Sequence, residues 1–81
     1  MDVTIQTVTA AVGGAGCNHV RITATVGGNT ITRLVPKADL IADPDDPEVA
    51  FYAVVRSKLK ENNITTPAAA KAFLEGLVVK L

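Results

Sequence analysis

Tryptophan is missing from this 81-residue chain, and Phe51, Tyr52 and Phe73 are its only aromatic residues. A core must therefore be assembled from Val, Ile, Leu and Ala, each of which buries less area than an aromatic ring. The single cysteine, Cys17, excludes an intramolecular disulfide, and no Lys/Arg-led apolar segment of the secretory kind follows Met1 and Asp2. Eight basic residues balance eight acidic ones. A neutral chain lacks the long-range field that draws in nucleic acid or anionic lipid, which disfavours DNA and RNA as partners. No apolar run approaches the roughly 18 residues that cross a bilayer, so a soluble intracellular chain without membrane insertion is expected.

What is present is β-branched. Residues 3–12, 19–26 and 30–35 are rich in Thr, Val and Ile and read as three strands. Val20, Ile22, Ala24 and Val26 alternate with His19, Arg21, Thr23 and Thr25, the pattern of a strand with one buried and one wet face. Gly27, Gly28 and Asn29 follow. A two-residue turn at Gly28-Asn29 would set Val26 opposite Ile31, Ile22 opposite Val35 and Arg33 opposite Ala24. Pro36 ends that ladder. In the first segment Val3 and Ile5 lie on one parity and Val8, Ala10 and Val12 on the other, so a bulge near Gln6-Thr7 is expected. Gly13, Gly14, Ala15, Gly16, Cys17 and Asn18 then form a flexible loop.

Asp46 before Pro47 is an N-cap followed by proline at the first helical position, and predicts a helix over 47–61 with Phe51, Tyr52, Val55 and Leu59 on its inner stripe. Thr66-Pro67 repeats the signal for a shorter helix bearing Ala70, Phe73 and Leu74. Gly76 suits a C′ position, after which residues 77–81 can form a short terminal strand. The expectation is a single α+β domain spanning residues 1–81: a small antiparallel β-meander of three strands, with a fourth C-terminal strand open, and two helices packed on one face. A domain this small removes only about 60 to 65% of its unfolded surface from water, which favours help from a protein partner or from self-association.

Chemistry-bearing motifs are sparse. Gly13, Gly14 and Gly16 match neither dinucleotide nor P-loop spacing, and a strand rather than a helix follows them. Cys17 and His19 could share a face of an extended segment, but no further ligands or nucleophile-activating groups accompany them. The run from Asp43 to Glu48 lacks the central glycine and the twelfth-position glutamate of a calcium loop, and helix capping accounts for its acids. Arg56, Lys58 and Lys60 spread around the helix and complement its C-terminal dipole. No catalytic residue, metal ligand, cofactor or small-molecule substrate is expected.

The run from Val20 to Gly28, then residues 30–34, then Ala38-Asp39-Leu40 with an acidic helix start, and finally Thr66-Pro67 with Phe73-Leu74-Glu75-Gly76, resembles small proteins encoded in tailed-phage and prophage clusters. That resemblance implies a virion-associated or accessory structural role in a head, neck or tail, inside the host cell or in the particle. The expected function is a non-enzymatic interaction module. It would assemble through a sheet edge that includes Thr4 and Gln6 and through the loop of Gly13, Gly14, Ala15, Gly16 and Asn18. The alternative is a small regulatory or nucleic-acid-associated protein that uses Arg21, Arg33, Arg56, Lys58 and Lys60.

Overall fold

The computed structural model describes residues 1–12, 16–38, 43 and 45–81. Strands β1 (Asp2–Ala10), β2 (Cys17–Val26) and β3 (Asn29–Pro36) precede helices α1 (Pro47–Glu61) and α2 (Pro67–Leu74), and strand β4 (Val78–Lys80) closes the series. All pairings are antiparallel, in the order β3-β2-β1-β4. The α+β meander with a fourth, C-terminal strand is the architecture present. The glycine-loop residues Gly13, Gly14 and Ala15, the Asp39-Leu40 pair, Ile41, Ala42 and Pro44 lie outside the described residues.

Period-two burial selects the faces. Val20, Ile22, Ala24 and Val26 of β2 are all at most 2% exposed, and Val3, Ile5 and Val8 join them from β1. Ile5 and Val8 can both point inward because the β1–β2 register slips between Ile5↔Ala24 and Thr7↔Thr23, the bulge that the change of parity demands. The hairpin register differs from the expected one. Val26 pairs with Asn29, Ala24 with Ile31 and Ile22 with Arg33, so the turn is Gly27-Gly28 rather than Gly28-Asn29. Those glycines have φ of +59° and +87°, the left-handed values that a type I′ turn needs at both central positions and that glycine adopts without a Cβ penalty. The correction moves β3 by two residues, which leaves each side chain on its expected face.

Two capped helices cover the inner face. Asp46 Oδ1 accepts the N–H groups of Glu48 (3.1 Å) and Val49 (3.3 Å), and Thr66 Oγ1 accepts that of Ala69 (3.2 Å). Each cap is worth about 1 kcal/mol. Phe51, Tyr52, Val55 and Leu59 of α1 and Ala70 and Leu74 of α2 complete a continuous core with Ile31, Val35 and Val79. Phe73 is only half-buried and packs at its margin.

The far edge of β1 is paired along its first residues, with β4 outermost in the sheet. Val3 pairs with Val79 and Thr4 with Val78, the Ile5 N–H donates to Leu77 O (2.9 Å), and Ile5 O accepts from Gly76 N (2.8 Å). Beyond them the Val8 N–H donates to the Glu75 carboxylate (3.2 Å), which also takes Lys71 Nζ at 2.9 Å. The hydrogen bond from Lys71, then that from Val8, holds the Glu75 carboxyl below its ordinary value of 4.5. A depressed folded-state pKa contributes stability that is present above the unfolded value and is lost as pH falls through the folded one. Wild type should therefore exceed Glu75→Gln in urea stability at neutral pH, and the gap should shrink once pH drops below 4.5. A gap that persists unchanged in acid would assign the effect to shape rather than charge.

Candidate functional site

The sheet has two margins, the three-residue β4 and the eight-residue β3, and β3 is the longer. Counting alternation from the Val26–Asn29 pair that flanks the turn, Thr30, Thr32 and Leu34 direct their amide and carbonyl groups away from β2. Among the described residues no strand pairs with that side. β3 carries little of what normally blocks an edge: Arg33 is its only charged residue and Pro36 its last residue. Its geometry is held from behind by hydroxyl pairs, Thr23 with Thr32 (2.9 Å) and Thr25 with Thr30 (3.1 Å), on the face turned away from the helices.

On the helix side of the same margin stand Arg33, Glu48 and Tyr52. Arg33 Nη2 lies 3.6 Å from Glu48 Oε1, an ion pair beyond hydrogen-bond range, with the arginine side chain 63% exposed. Such a surface pair is worth about 0 to 1 kcal/mol. Tyr52 is buried, and its hydroxyl has no hydrogen-bond partner. Burial pushes the phenol up to about 12, with Arg33 lowering and Glu48 raising it to smaller extents. A margin with outward backbone groups and an exposed arginine has hydrogen-bonding capacity left for a second chain.

The sequence-derived contact residues distribute differently from expectation. Thr4 is paired with Val78 and so does not stand at an open edge, whereas Gln6 lies beyond that ladder and its Nε2 donates to Thr25 Oγ1 (3.2 Å) on the open face of the sheet. A three-residue strand arriving from residues 78–80 is the reason. Cys17 and Asn18 belong to β2 rather than to the glycine loop, and Asn18 Nδ2 donates to Pro36 O (2.9 Å). Gly16, at φ +90°, accepts the Lys37 N–H through its carbonyl (2.6 Å). Gly13, Gly14 and Ala15 lie outside the described residues. His19 has φ of +57°, which breaks the alternation on which a shared Cys17–His19 face depended. Among the described residues no three of His, Cys, Asp and Glu gather as metal ligands, and no helix is long and apolar enough to cross a membrane.

The five basic residues of the nucleic-acid reading are divided. Arg21 sits on the open sheet face and Arg33 at the β3 margin, while Lys58 borders a groove with Ala50, Val54 and Leu81. Arg56 and Lys60 line a different cleft together with His19 and Lys37. That convergence of residues from separate elements was not legible in the sequence, where only the spacing of Arg56 and Lys60 hinted at a shared face.

No family model, curated protein or solved structure matches the chain.

Proposed function

We propose that this chain is a non-enzymatic interaction module that assembles by strand addition at the outer edge of β3. The observation that carries this reading is the asymmetry of the sheet: one margin is the three-residue β4, while the other is the eight-residue β3, whose Thr30, Thr32 and Leu34 turn their backbone groups outward. A second copy is a fitting occupant. Antiparallel pairing centred on Thr32 would set Thr30 opposite Leu34 of the other copy and Ile31 opposite Arg33, so no like charges would meet. The same pairing would extend the threonine rows across the join. The resemblance to small tailed-phage proteins favours placing such a module in a virion, where repeated copies are the building material.

Thr32→Pro tests the proposal without breaking the hairpin, because the Thr32 N–H points away from β2 and proline is tolerated on an edge. Sedimentation over a range of concentrations should show wild type associating and Thr32→Pro remaining monomeric, with amide exchange at Thr30 and Leu34 slowing only in the associated form. Association that is undiminished in Thr32→Pro would remove the β3 edge from consideration. A wild-type chain that stays monomeric would remove self-assembly.

A further inference from the structure

β1 is nine residues long and β4 three, so β4 covers only the first part of the strand it lies beside. Past the contacts of Ile5 with Gly76 and Leu77, the Val8 N–H meets the Glu75 carboxylate, which stands where the carbonyl of a neighbouring strand would stand. The alternation continues from there. The Ala11 N–H donates to His19 O (2.9 Å), so Ala11 and Thr9 face β2, while Val8 and Ala10 direct their backbone groups away from it. Glu75 takes the Val8 N–H. What is left is the Val8 carbonyl and both backbone groups of Ala10, on a stretch of edge beside which, among the described residues, no strand lies.

The same stretch is where apolar surface is left over. Val8 is fully buried on the helix side of the sheet, but Ala10, next in that row, is exposed, and Val12, two residues on, is 97% exposed. Single exposed aliphatic residues are ordinary on a protein surface. Here, however, Ala10 lines a concavity: Val8, Thr9 and Ala10 on the strand and Pro67, Ala68 and Lys71 on α2 enclose about 350 Å³ between the edge and the helix. Lys71 is already paired with Glu75 (2.9 Å), so the walls offer small apolar side chains and backbone groups rather than charge. Capping explains Thr66 and Pro67, and the core explains Ala70 and Leu74. Neither explains an uncovered strand end with a slot beside it.

We infer that this slot takes an extended segment of a partner protein, added to β1 in line with β4 and antiparallel to β1. β4 itself is the precedent, because the same edge already holds an extended chain a few residues away, through the pairs at Asp2, Val3 and Thr4. Ala10 would exchange both backbone bonds with one residue of the segment, and the Val8 carbonyl would accept a third, the main-chain pairing that gives strand addition its affinity. Side chains decide which segment fits. Alternate residues would face the helix side against Ala10, Pro67 and Ala68, where the slot admits groups of alanine or valine size, and the residues between them would join Thr9 on the open face. The partner chemistry is thus an uncharged extended segment in which small apolar residues alternate with polar ones. This edge and β3 lie on opposite sides of β2, and the inference does not depend on strand addition at β3.

The probe is the pentapeptide acetyl-Thr-Val-Thr-Val-Thr-amide, with acetyl-Thr-Pro-Thr-Pro-Thr-amide as the reference, and the readout is the amide chemical shifts of the full chain. Saturable shifts should appear at Ala10, Val12 and Ala68 with the first peptide alone. Ala10→Pro removes the outward N–H while leaving the β2 ladder intact, and should weaken binding about tenfold. Ala68→Glu fills the slot from its other wall. Because α2 has no acid in its first turn, where a carboxylate complements the helix dipole, this variant keeps the fold and should still lose binding. Shifts confined to Thr30, Thr32 and Leu34 would put the peptide on the β3 margin and overturn the inference. So would an absence of saturable shifts, equal binding of the proline peptide, or undiminished binding by both variants.

Discussion

Phe51→Ala is expected to lower stability by about 3 to 5 kcal/mol, the usual result of deleting a buried aromatic ring from a well-packed core. Phe51 is the largest fully buried side chain and packs obliquely on Tyr52, with ring centroids 5.5 Å apart. The rest of the core is aliphatic, and those side chains cannot refill the space of a ring without moving the helix. A native stability of about 0.05 to 0.15 kcal/mol per residue implies that such a loss removes a large fraction of the total. Urea denaturation should therefore show a chain that is substantially unfolded or close to it. The half-buried Phe73 provides the contrast, since its truncation should cost much less. Equal losses at the two positions would contradict the placement of the core.

Val79→Asp should be comparably severe and should also change how the protein behaves in solution. Val79 is 1% exposed, paired with Val3, so aspartate there puts a carboxylate among apolar groups with no cation beside it. Detachment of β4 relieves that burial and costs several kcal/mol through the lost packing and the freed backbone groups of Val3 and Ile5. The nine-residue β1 would then replace the three-residue β4 as the margin opposite β3. Fast amide exchange at Val3 and Ile5, together with light scattering that grows with concentration, is the expected signature. Val78→Asp, at a position whose side chain is exposed, should produce neither. Aggregation in both variants would indicate that charge alone, and not loss of the strand, is responsible.

Much of the fold was legible because one-dimensional patterns carried it. The parity change between Ile5 and Val8 located the bulge, Asp46-Pro47 and Thr66-Pro67 located the helix starts, and Gly76 marked the passage from α2 into the last strand. The hairpin register was not legible in the same way. Gly27-Gly28 and Gly28-Asn29 are both acceptable type I′ turns, and sliding β3 by two residues leaves every side chain on its face, so alternation could not choose between them. Nor could a three-residue strand announce its neighbour. Whether residues 78–80 would lie beside β1 or β3 is a tertiary matter, and the outcome made β4 rather than β1 the margin opposite β3. His19 was hidden more thoroughly, because it falls at the start of a clean alternation that continues through Val26 and conceals the left-handed backbone. The cationic cleft depends on that bulge and on the return of α1 past Lys37, neither of which leaves a periodic trace.

The pairing of β4 with β1 has a consequence for the order in which the molecule can be completed. The β1–β2 and β2–β3 hairpins join neighbouring segments, so their loop-closure entropy is small and they can form early. The contact of Val79 with Val3 joins segments separated by nearly the whole length of the chain and must wait for both helices. Until residues 78–80 arrive, the inner face lacks one flank and the amides of Val3 and Ile5 have no acceptors. During synthesis that interval lasts until residues 78–80 have emerged, and until then the longer β1 is itself a margin of the sheet opposite β3. The closing strand thus sets the duration of vulnerability as well as the shape of the finished sheet, and chaperone demand should rise with any substitution that slows its docking.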